Sequence, residues 1–332
     1  MAHFHFKAAS TVLLAWAGAT RPEHWRRFAG LTLANLVVGC LVSAFTYPPY
    51  FETAVRRLTL VSPVDSLYKY LTFGRYIDSL QQARPQQLAP RVINPEARAF
   101  IGNASVDIFP HFIDMIPANQ FRWNPRPVFQ SYSAYTPYLD GWNAAHYRGP
   151  ARPGKILLHW DAIDDRHPFF DDPLTWREIL ARYRRQMDSN QGIILGAVQD
   201  AAPLTEEAGD IVITTWGQWI DVPKRSGDEL IAASVATAPS FLGLLWVQAL
   251  RGTSVLIEVE HADGALSQFR TVRANLISGP VVSPLPTSLN DAKPILSGNW
   301  KAGRSVARIR FVSPRPSHFS SEIGVQWLRL RR

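Results

Sequence analysis

An uncharged run near the start of the chain limits the architecture more than any other feature. It reads FAGLTLANLVVGCLVSAFTYPPYF, the 24 residues between Arg27 and Glu52. A helix needs roughly 20 apolar residues to cross the hydrocarbon core of a bilayer, and residues 28–47 meet that length. The two prolines that follow end such a helix, because proline lacks the backbone N–H that would continue it. We therefore predict a transmembrane helix over residues 28–47, preceded by a cytoplasmic segment, residues 1–27.

The charges around the run predict its orientation. Arg21, Arg26 and Arg27 precede it, and basic residues favour the cytoplasmic side of a membrane. The bulk of the chain then lies outside the cytoplasm, in a single-pass cell-membrane protein whose helix acts as a signal-anchor. Two alternatives stay open. The tripeptide VSA at residues 42–44 fits a signal-peptidase site, or the run is a core helix of a globular domain.

The charge balance and the cysteine count restrict the partners. A net charge of +8 and a pI of about 9.8 suit a negatively charged partner. The basic residues are scattered, without a long Lys/Arg run or a nucleic-acid-binding motif, so we expect no nucleic-acid partner. The positive charge would favour binding to a membrane surface and to an acidic glycan equally. The single cysteine, Cys40, excludes an intrachain disulfide and a cysteine-based zinc site.

Residues 48–98 are predicted to form a helical stalk or linker. The stretch VDSLYKYLTFGRYIDSLQQA places apolar residues at helical intervals. RPQQLAP then separates this segment from the next one.

Strand and helix patterns alternate over residues 99–202, which we assign to an α/β domain. SVDIF, RPVFQSY, KILLHW and GIILGAV read as strands, whereas HFIDMIPANQ, TPYLDGWNAAHYR and DDPLTWREILARYRRQM read as helices. Thr136 is the expected N-cap of the second of these helices, and Asp172 is that of the third. This alternation predicts a small, mostly parallel sheet covered by helices.

Residues 203–332 are predicted to be a β-sandwich domain. SVLIEVEHADGALSQFRTVRA reads as a hairpin that turns at ADG, and SVARIRFV and VQWLRLRR alternate apolar with basic residues. Strands with one buried face favour an antiparallel, jelly-roll-like sandwich. The predicted fold class is therefore α/β plus all-β, behind a transmembrane helix.

Several motifs give the chain a resemblance to a known group. VDIFP, NPRPVFQSYSAYTPYLD and IDDRHPFFDDP, with LIEVEHADG further on, lie within roughly residues 100–312. They resemble the VDxFP, RPVFQSYSAYTPxLD and IDxRxPxFD motifs of uncharacterised bacterial membrane-anchored proteins. The resemblance implies an extracytoplasmic α/β unit followed by a β-rich module. It implies no established activity.

The densest set of ionisable side chains follows the KILLHW strand. Asp161, Asp164 and Asp171 are the candidate catalytic residues, because two carboxylates at different solvation can act as acid and base. Their oxygens also suit Ca²⁺ or Mg²⁺ in the loop from Asp161 to Asp172, although we expect no other cofactor or metal. The structural alternative is that Asp172 caps a helix and Asp164 pairs with Arg166.

A second candidate site lies where RPVFQSY leads into the following helix. Amides, hydroxyls and carboxylates bond sugar hydroxyls, while aromatic faces stack on the sugar ring. The predicted ligand-binding residues are Asp107, Gln130, Ser131, Tyr132, Ser133, Tyr135 and Arg166. The nearby rings of Trp123, Tyr138 and Trp142 could join them. The alternative is that Tyr138, Leu139 and Trp142 form a core-facing stripe of the helix.

The sequence thus favours a non-catalytic, membrane-anchored module for glycan recognition or cell-envelope assembly. The first alternative is a glycan-acting hydrolase or transferase that uses the loop aspartates. The second is a structural subunit that docks onto other membrane proteins through an exposed apolar patch.

Overall fold

The structure is a computed structural model that describes Val37 and residues 61–249 and 253–332. The chain divides into two compact units: Met1–Pro85 with Leu245–Gly252, and Gln86–Leu244 with Thr253–Arg332. The predicted transmembrane helix lies outside the described residues except for Val37, which is helical. Within the described ranges, no helix combines the length and the apolar character that a membrane span requires.

Two consecutive helices follow the undescribed N-terminal part. They are α1 (Val61–Leu71) and α2 (Phe73–Leu88). Both keep large apolar side chains exposed, among them Leu67, Tyr70 and Phe73. The helical character that was predicted for this stretch is confirmed from residue 61 onward.

A five-stranded sheet with helices forms the first part of the second unit. In chain order, the elements are α3 (Pro95–Ile101), β1 (Ser105–Phe109), α4 (Met115–Asn119), β2 (Arg122–Trp123), α5 (Pro137–Arg148), β3 (Lys155–Leu158), α6 (Pro168–Asp171), α7 (Pro173–Arg182), β4 (Tyr183–Ser189) and β5 (Gly192–Ala197). The strand order is β2-β1-β3-β5-β4. Strand β1 runs parallel to β2 and β3, while β5 is antiparallel to β3 and β4. The sheet is therefore mixed and not mostly parallel.

The mixed character comes from one helix that is shorter than predicted. The helix predicted to run through Met187 ends at Arg182, and Tyr183 starts an edge strand that pairs with β5. Tyr183 is buried, and its hydroxyl donates to the Pro153 carbonyl at 2.8 Å. The tertiary pairing of the buried strand β5 overrides the helix propensity of this segment.

The predicted strand RPVFQSY is also absent. This segment has no regular strand, and it ends in a short 3₁₀ turn at Ser131–Ser133. Prolines interrupt it, and buried Arg126 draws the Phe129 carbonyl inward at 2.8 Å. A carbonyl held in this way is turned toward a side chain instead of a neighbouring strand.

The second part of the unit is mainly antiparallel β. Its strands are β6 (Thr205–Thr215), β7 (Ile220–Asp221), β8 (Leu230–Ala236), β9 (Val255–His261), β10 (Leu266–Thr271), β11 (Val281–Ser283), β12 (Val306–Val312) and β13 (Glu322–Arg331). Its helices are α8 (Phe241–Ala249), whose residues from Leu245 onward belong to the first unit, α9 (Arg273–Leu276) and α10 (Leu289–Leu296). The strands build two four-stranded sheets, β10-β9-β12-β7 and β11-β8-β13-β6. The predicted hairpin is confirmed as β9 and β10, with Gly264 in the turn at φ +84°. The chain is thus a mixture of helices and antiparallel sheets.

Buried apolar side chains connect these parts of the second unit. One cluster joins the mixed sheet to both antiparallel sheets and includes Leu158, Trp176, Ile231, Ile257 and Phe311. Such side chains typically contribute about 1.5–3 kcal/mol each when buried. The loop after β3 is thereby held against β10, where the Arg270 N–H donates to the Asp165 carbonyl at 2.9 Å.

Candidate functional site

The carboxyl ends of the parallel strands β1 and β3 form a rim of polar side chains. Strand β1 leads to His111, and β3 leads to His159 and Asp161. A hydrogen bond connects the ends of the two strands, because the His159 N–H donates to the Phe109 carbonyl at 2.8 Å. Ligands of open α/β sheets bind at such an edge. His111 was not among the predicted site residues, although its place two residues after a buried strand was the available signal.

Aromatic rings surround the two histidines of the rim. The centroid of His111 lies 5.5 Å from that of Tyr132, and the centroid of Phe112 lies 4.7 Å from that of His159. Burial lowers the pKa of His111, and it lowers the pKa of His159 to about 4. Both imidazoles are therefore neutral at pH 7. They can donate or accept hydrogen bonds there without carrying charge.

A fully buried ion pair lies beneath the rim. Arg126 Nη1 contacts Asp107 Oδ2 at 2.9 Å, and the Tyr147 hydroxyl donates to the same oxygen at 2.5 Å. Asp107 Oδ1 accepts from the Ile108 N–H at 2.8 Å. Burial and the Asp107 charge raise the pKa of Tyr147 well above its usual value, so the phenol stays a donor. The carboxylate of Asp107, predicted to bind ligand, is thus bonded within the protein.

Arg126 is the residue that organises this region, and it was not among the predicted site residues. Its guanidinium donates to the carbonyls of Ile108, Pro110 and Phe129 and to the Ser131 hydroxyl. Planar donors in a fixed fork suit several acceptors at once. The predicted ligand residue Ser131 is buried and serves as one of them.

The other predicted residues of this segment are more accessible. Gln130, Tyr132 and Ser133 are half-buried, and Tyr135 is 51% exposed. Their backbones form the 3₁₀ turn, in which the Ser133 N–H donates to the Gln130 carbonyl at 2.8 Å. The turn leaves the side chains of these four residues at or near the surface.

Two buried carboxyl groups meet at the N-terminus of α7. Asp140, from α5, accepts hydrogen bonds from the N–H groups of Leu174 and Thr175 at 2.8 and 3.0 Å and from the Thr175 hydroxyl at 2.8 Å. Asp172 occupies the N-cap position of α7, as predicted, but its side chain makes no capping hydrogen bond. Asp140 caps the helix from a different element and satisfies the N–H groups that every helix start leaves open.

Asp172 is instead a buried group without a hydrogen-bond partner for either carboxyl oxygen among the described residues. Burial and the neighbouring Asp140 charge raise its pKa well above the usual value. Arg126 and the Ser131 hydroxyl lie close enough to oppose that shift in part. Two carboxylates in one apolar environment cannot both ionise. Burial raises the pKa of Asp140 as well, but the hydrogen bonds from Leu174 and Thr175 oppose that rise. Of the two groups, Asp172 therefore has the stronger tendency to hold a proton.

The candidate catalytic aspartates differ in solvation. Asp161 is exposed, and its carboxylate accepts from the Ala162 N–H at 2.9 Å. Asp171 is buried and lies 3.1 Å from Arg166, whereas the more exposed Asp164 lies 3.1 Å from Arg270 and 3.9 Å from Arg166. The expected pairing of Asp164 with Arg166 is present as the longest of these contacts. Arg166, which was predicted to bind ligand, bridges two carboxylates.

Burial raises the pKa of Asp171 to about 6, against the opposing effect of the Arg166 charge. Groups whose pKa is shifted toward neutrality are enriched at functional sites, although structural ion pairs shift the pKa too. Among the described residues, no group of three or more His, Cys, Asp or Glu side chains has an arrangement that fits a metal ion.

Helix α5 buries polar side chains and exposes aromatic ones, which reverses the usual arrangement of an amphipathic helix. Its N-cap prediction is confirmed, because Thr136 Oγ1 accepts from the Leu139 N–H. Its buried face carries Asp140, Asn143, Ala144 and Tyr147. Asn143 binds both the N–H and the carbonyl of Val128, at 2.8 and 3.0 Å. The buried side of the helix is thus largely polar and bonded.

Two aromatic residues in the first half of α5 point outward. Tyr138 is 65% exposed and Trp142 is 50% exposed, and their ring centroids lie 4.9 Å apart. The alternative that Tyr138 and Trp142 form a core-facing stripe is therefore wrong. Asp140 and Asn143 occupy the interior face, and their hydrogen bonds fix the rotation of the helix about its own axis.

Comparisons with protein-family models, with curated proteins and with solved structures find no match to this chain.

Proposed function

We propose that this chain recognises glycans without acting on them, through aromatic side chains that α5 presents to solvent. The observation that carries the proposal is the exposed pair Tyr138 and Trp142, with Tyr135 also exposed shortly before the helix. Exposed rings lose apolar hydration only when a partner covers them. Sugar rings have apolar faces that stack on aromatic side chains, and this pairing is common in carbohydrate recognition.

The polar groups near these rings support the same function. Gln130, Tyr132 and Ser133 are half-buried and supply an amide and two hydroxyls next to the exposed Tyr135. Sugar hydroxyls need both donors and acceptors, which these side chains provide. The rigid network around Arg126 holds the segment in place, so little conformational entropy is lost on binding.

The location and the finer fold belong to the same proposal. Residues 28–47 would anchor the chain in the cell membrane, with the bulk on the extracytoplasmic side and glycans or other envelope proteins as partners. We further propose that the two antiparallel sheets pack face to face as a jelly-roll-like sandwich. The support is the shared core cluster, to which both sheets contribute buried side chains.

Removing the two rings is expected to weaken glycan binding substantially. We expect the Tyr138→Ala/Trp142→Ala variant of the full chain to lose binding by at least about tenfold, since aromatic contacts contribute about 1 kcal/mol or more each. The measurement is binding to immobilised N-acetylglucosamine oligomers, peptidoglycan fragments and neutral hexose oligomers. Phe100→Ala is the matched control, because it removes an exposed ring from another helix. If the parent chain binds none of these glycans, the proposal fails.

A glycan-acting enzyme is the second candidate, and the pair Asp164 and Asp171 favours it. Arg166 contacts both carboxylates, of which Asp171 is buried and Asp164 is partly exposed. The raised pKa of Asp171 suits a general acid. Ca²⁺ or Mg²⁺ in this loop stays a prediction of the sequence.

The Asp171→Asn variant tests this assignment. A folded-state pKa of about 6 means that the native state binds the proton more tightly than the unfolded chain. Relative to the variant, the parent should therefore lose about 3 kcal/mol of stability as the pH rises from about 4 to about 6. Chemical denaturation across this pH range measures the difference. Asp188→Asn is the control, because hydrogen bonding to Arg185 lowers the pKa of Asp188 to about 2. Its contribution to stability changes only below about pH 4, so the difference between this variant and the parent should stay constant from about pH 4 to about pH 6. Glycan cleavage by the parent that disappears in Asp171→Asn would support the enzyme.

A further inference from the structure

Helix α8 presents an apolar surface to solvent. Its sequence is FLGLLWVQA. The exposed residues are Phe241, Leu242, Leu244, Leu245 and Val247, which range from 50% to 78% exposure. At 3.6 residues per turn these positions cover about two thirds of the helix circumference. A surface helix ordinarily turns its apolar stripe toward the core, so α8 needs an apolar environment that the described part of the chain does not supply.

The start of α8 is fixed firmly to the β-rich part. Gly243 packs so closely on His318 that an added Cβ would lie 1.9 Å from the His318 carbonyl oxygen. The Ser240 N–H donates to the same carbonyl at 2.9 Å, and the Ser240 hydroxyl donates to the Ser317 carbonyl at 2.7 Å. After the helix, Thr253 Oγ1 lies 2.7 Å from His318 Nδ1. The residues at the start of the helix and the residue Thr253 after it thus contact the same short turn.

The dimensions and charges around α8 fit a lipid bilayer. No charged residue occurs between Glu229 and Arg251. The nine residues of the helix extend roughly 14 Å, which is less than half of a hydrocarbon core of about 30 Å. Exposed Arg273 donates to the Thr237 carbonyl, just before the helix, and exposed Arg315 precedes the turn that holds it. Basic side chains at the base of an apolar projection suit anionic lipid headgroups.

We propose that α8 inserts into one leaflet of a membrane that contains anionic lipids, as a second contact beyond the N-terminal run. The apolar side chains enter the acyl region, and Arg273 and Arg315 lie at the headgroups. Burial of such side chains is favourable by about 1.5–3 kcal/mol each when it is complete. The proposal stands whether or not residues 28–47 cross the membrane. Its consequence is that the β-rich part is held at a fixed distance from the bilayer.

Depth-dependent fluorescence quenching tests the insertion. The full chain carries Cys40→Ala, which removes its single cysteine, and either Leu244→Cys or the matched control Leu266→Cys. Leu266 lies just after the β9–β10 turn and is 69% exposed. Each variant is labelled with an environment-sensitive fluorophore and bound to vesicles of phosphatidylcholine and phosphatidylglycerol. Some of the lipids carry a nitroxide on the acyl chain.

The label at residue 244 should be quenched by the acyl-chain nitroxide several-fold more strongly than the label at residue 266. Vesicles of phosphatidylcholine alone should weaken this difference, because the arginines lose their anionic partners. Aqueous iodide provides the complementary measurement. If the label at 244 is quenched by iodide and not by lipid, α8 faces water and the proposal is overturned. If neither quencher reaches it, protein covers α8, and the proposal is overturned as well.

Discussion

Replacing Arg126 with methionine should lower the free energy of unfolding by about 3–5 kcal/mol, the cost of leaving one partner of a buried ion pair without the other. Arg126 and Asp107 have essentially no solvent exposure. In the variant, Tyr147 and the Ile108 N–H remain the donors to the carboxylate. Several carbonyls also lose their donor, and each buried unsatisfied group adds a further cost. Urea or thermal denaturation at neutral pH measures the loss.

Arg308→Met is the matched control for this prediction. It removes an arginine whose side chain is 44% exposed and pairs with Glu260 on the surface. A surface pair typically contributes about 0–1 kcal/mol, so this variant should stay close to the parent. The double variant Asp107→Asn/Arg126→Met removes both charges. It should recover part of the loss, because no ionised group is left buried alone. Equal losses for Arg126→Met and Arg308→Met would contradict the role assigned to Arg126.

The buried polar groups of α5 explain why its aromatic residues Tyr138 and Trp142 face the solvent. Asp140 caps α7, and Asn143 pairs with the Val128 backbone, so both residues must face inward. The helical period then turns Tyr138 and Trp142 away from the protein. A polar network that is satisfied in one arrangement specifies that arrangement strongly. The same contacts that stabilise the fold therefore orient the proposed glycan surface.

Much of the β structure was predictable because its periodicity is local. Strand β1 has the bounds of the predicted SVDIF, and in β9, within the predicted hairpin, the apolar residues Val255, Ile257 and Val259 are buried. The hairpin turn carried its own signal, since glycine readily adopts positive φ. A pattern of period two reports directly which face of a strand is buried.

The predictions that failed concern features that depend on partners distant in sequence. Tyr183 begins a strand because β5 needs an edge partner, and nothing local in ARYRRQM indicates this. Asp172 was predicted as an N-cap from its position before Pro173, yet Asp140, 32 residues earlier in the numbering, supplies the cap. Arg126 was predicted to begin a strand, between two prolines. Only the fold brings its guanidinium to Asp107, so its role was not visible in the sequence.

Acid should destabilise the protein through His167, and His167→Asn should remove about 3 kcal/mol of that sensitivity. His167 is fully buried, and burial lowers its pKa to about 4. Its Nδ1 accepts from the Phe169 N–H at 3.1 Å, so the ring is the tautomer whose Nε2–H donates to the Pro286 carbonyl at 2.7 Å. Protonation would put an N–H on Nδ1 of His167, which would then face the Phe169 N–H, donor against donor. The neutral form is therefore required in the folded state.

The direction of the pH effect follows from the pKa values of His167 in the folded and unfolded states. The folded-state pKa lies below the unfolded value of about 6.5, so the contribution is complete above pH 6.5 and is lost as the pH falls toward 4. Asparagine retains an acceptor for the Phe169 N–H but does not titrate. His167→Asn should be less stable than the parent at pH 7.5, through lost packing, and should approach it at pH 4. Phe269→Leu is the control, because it disturbs a ring 4.9 Å from His167 without removing a titrating group. Its loss should be the same at every pH, and a parallel pH profile for His167→Asn would show that His167 titrates normally.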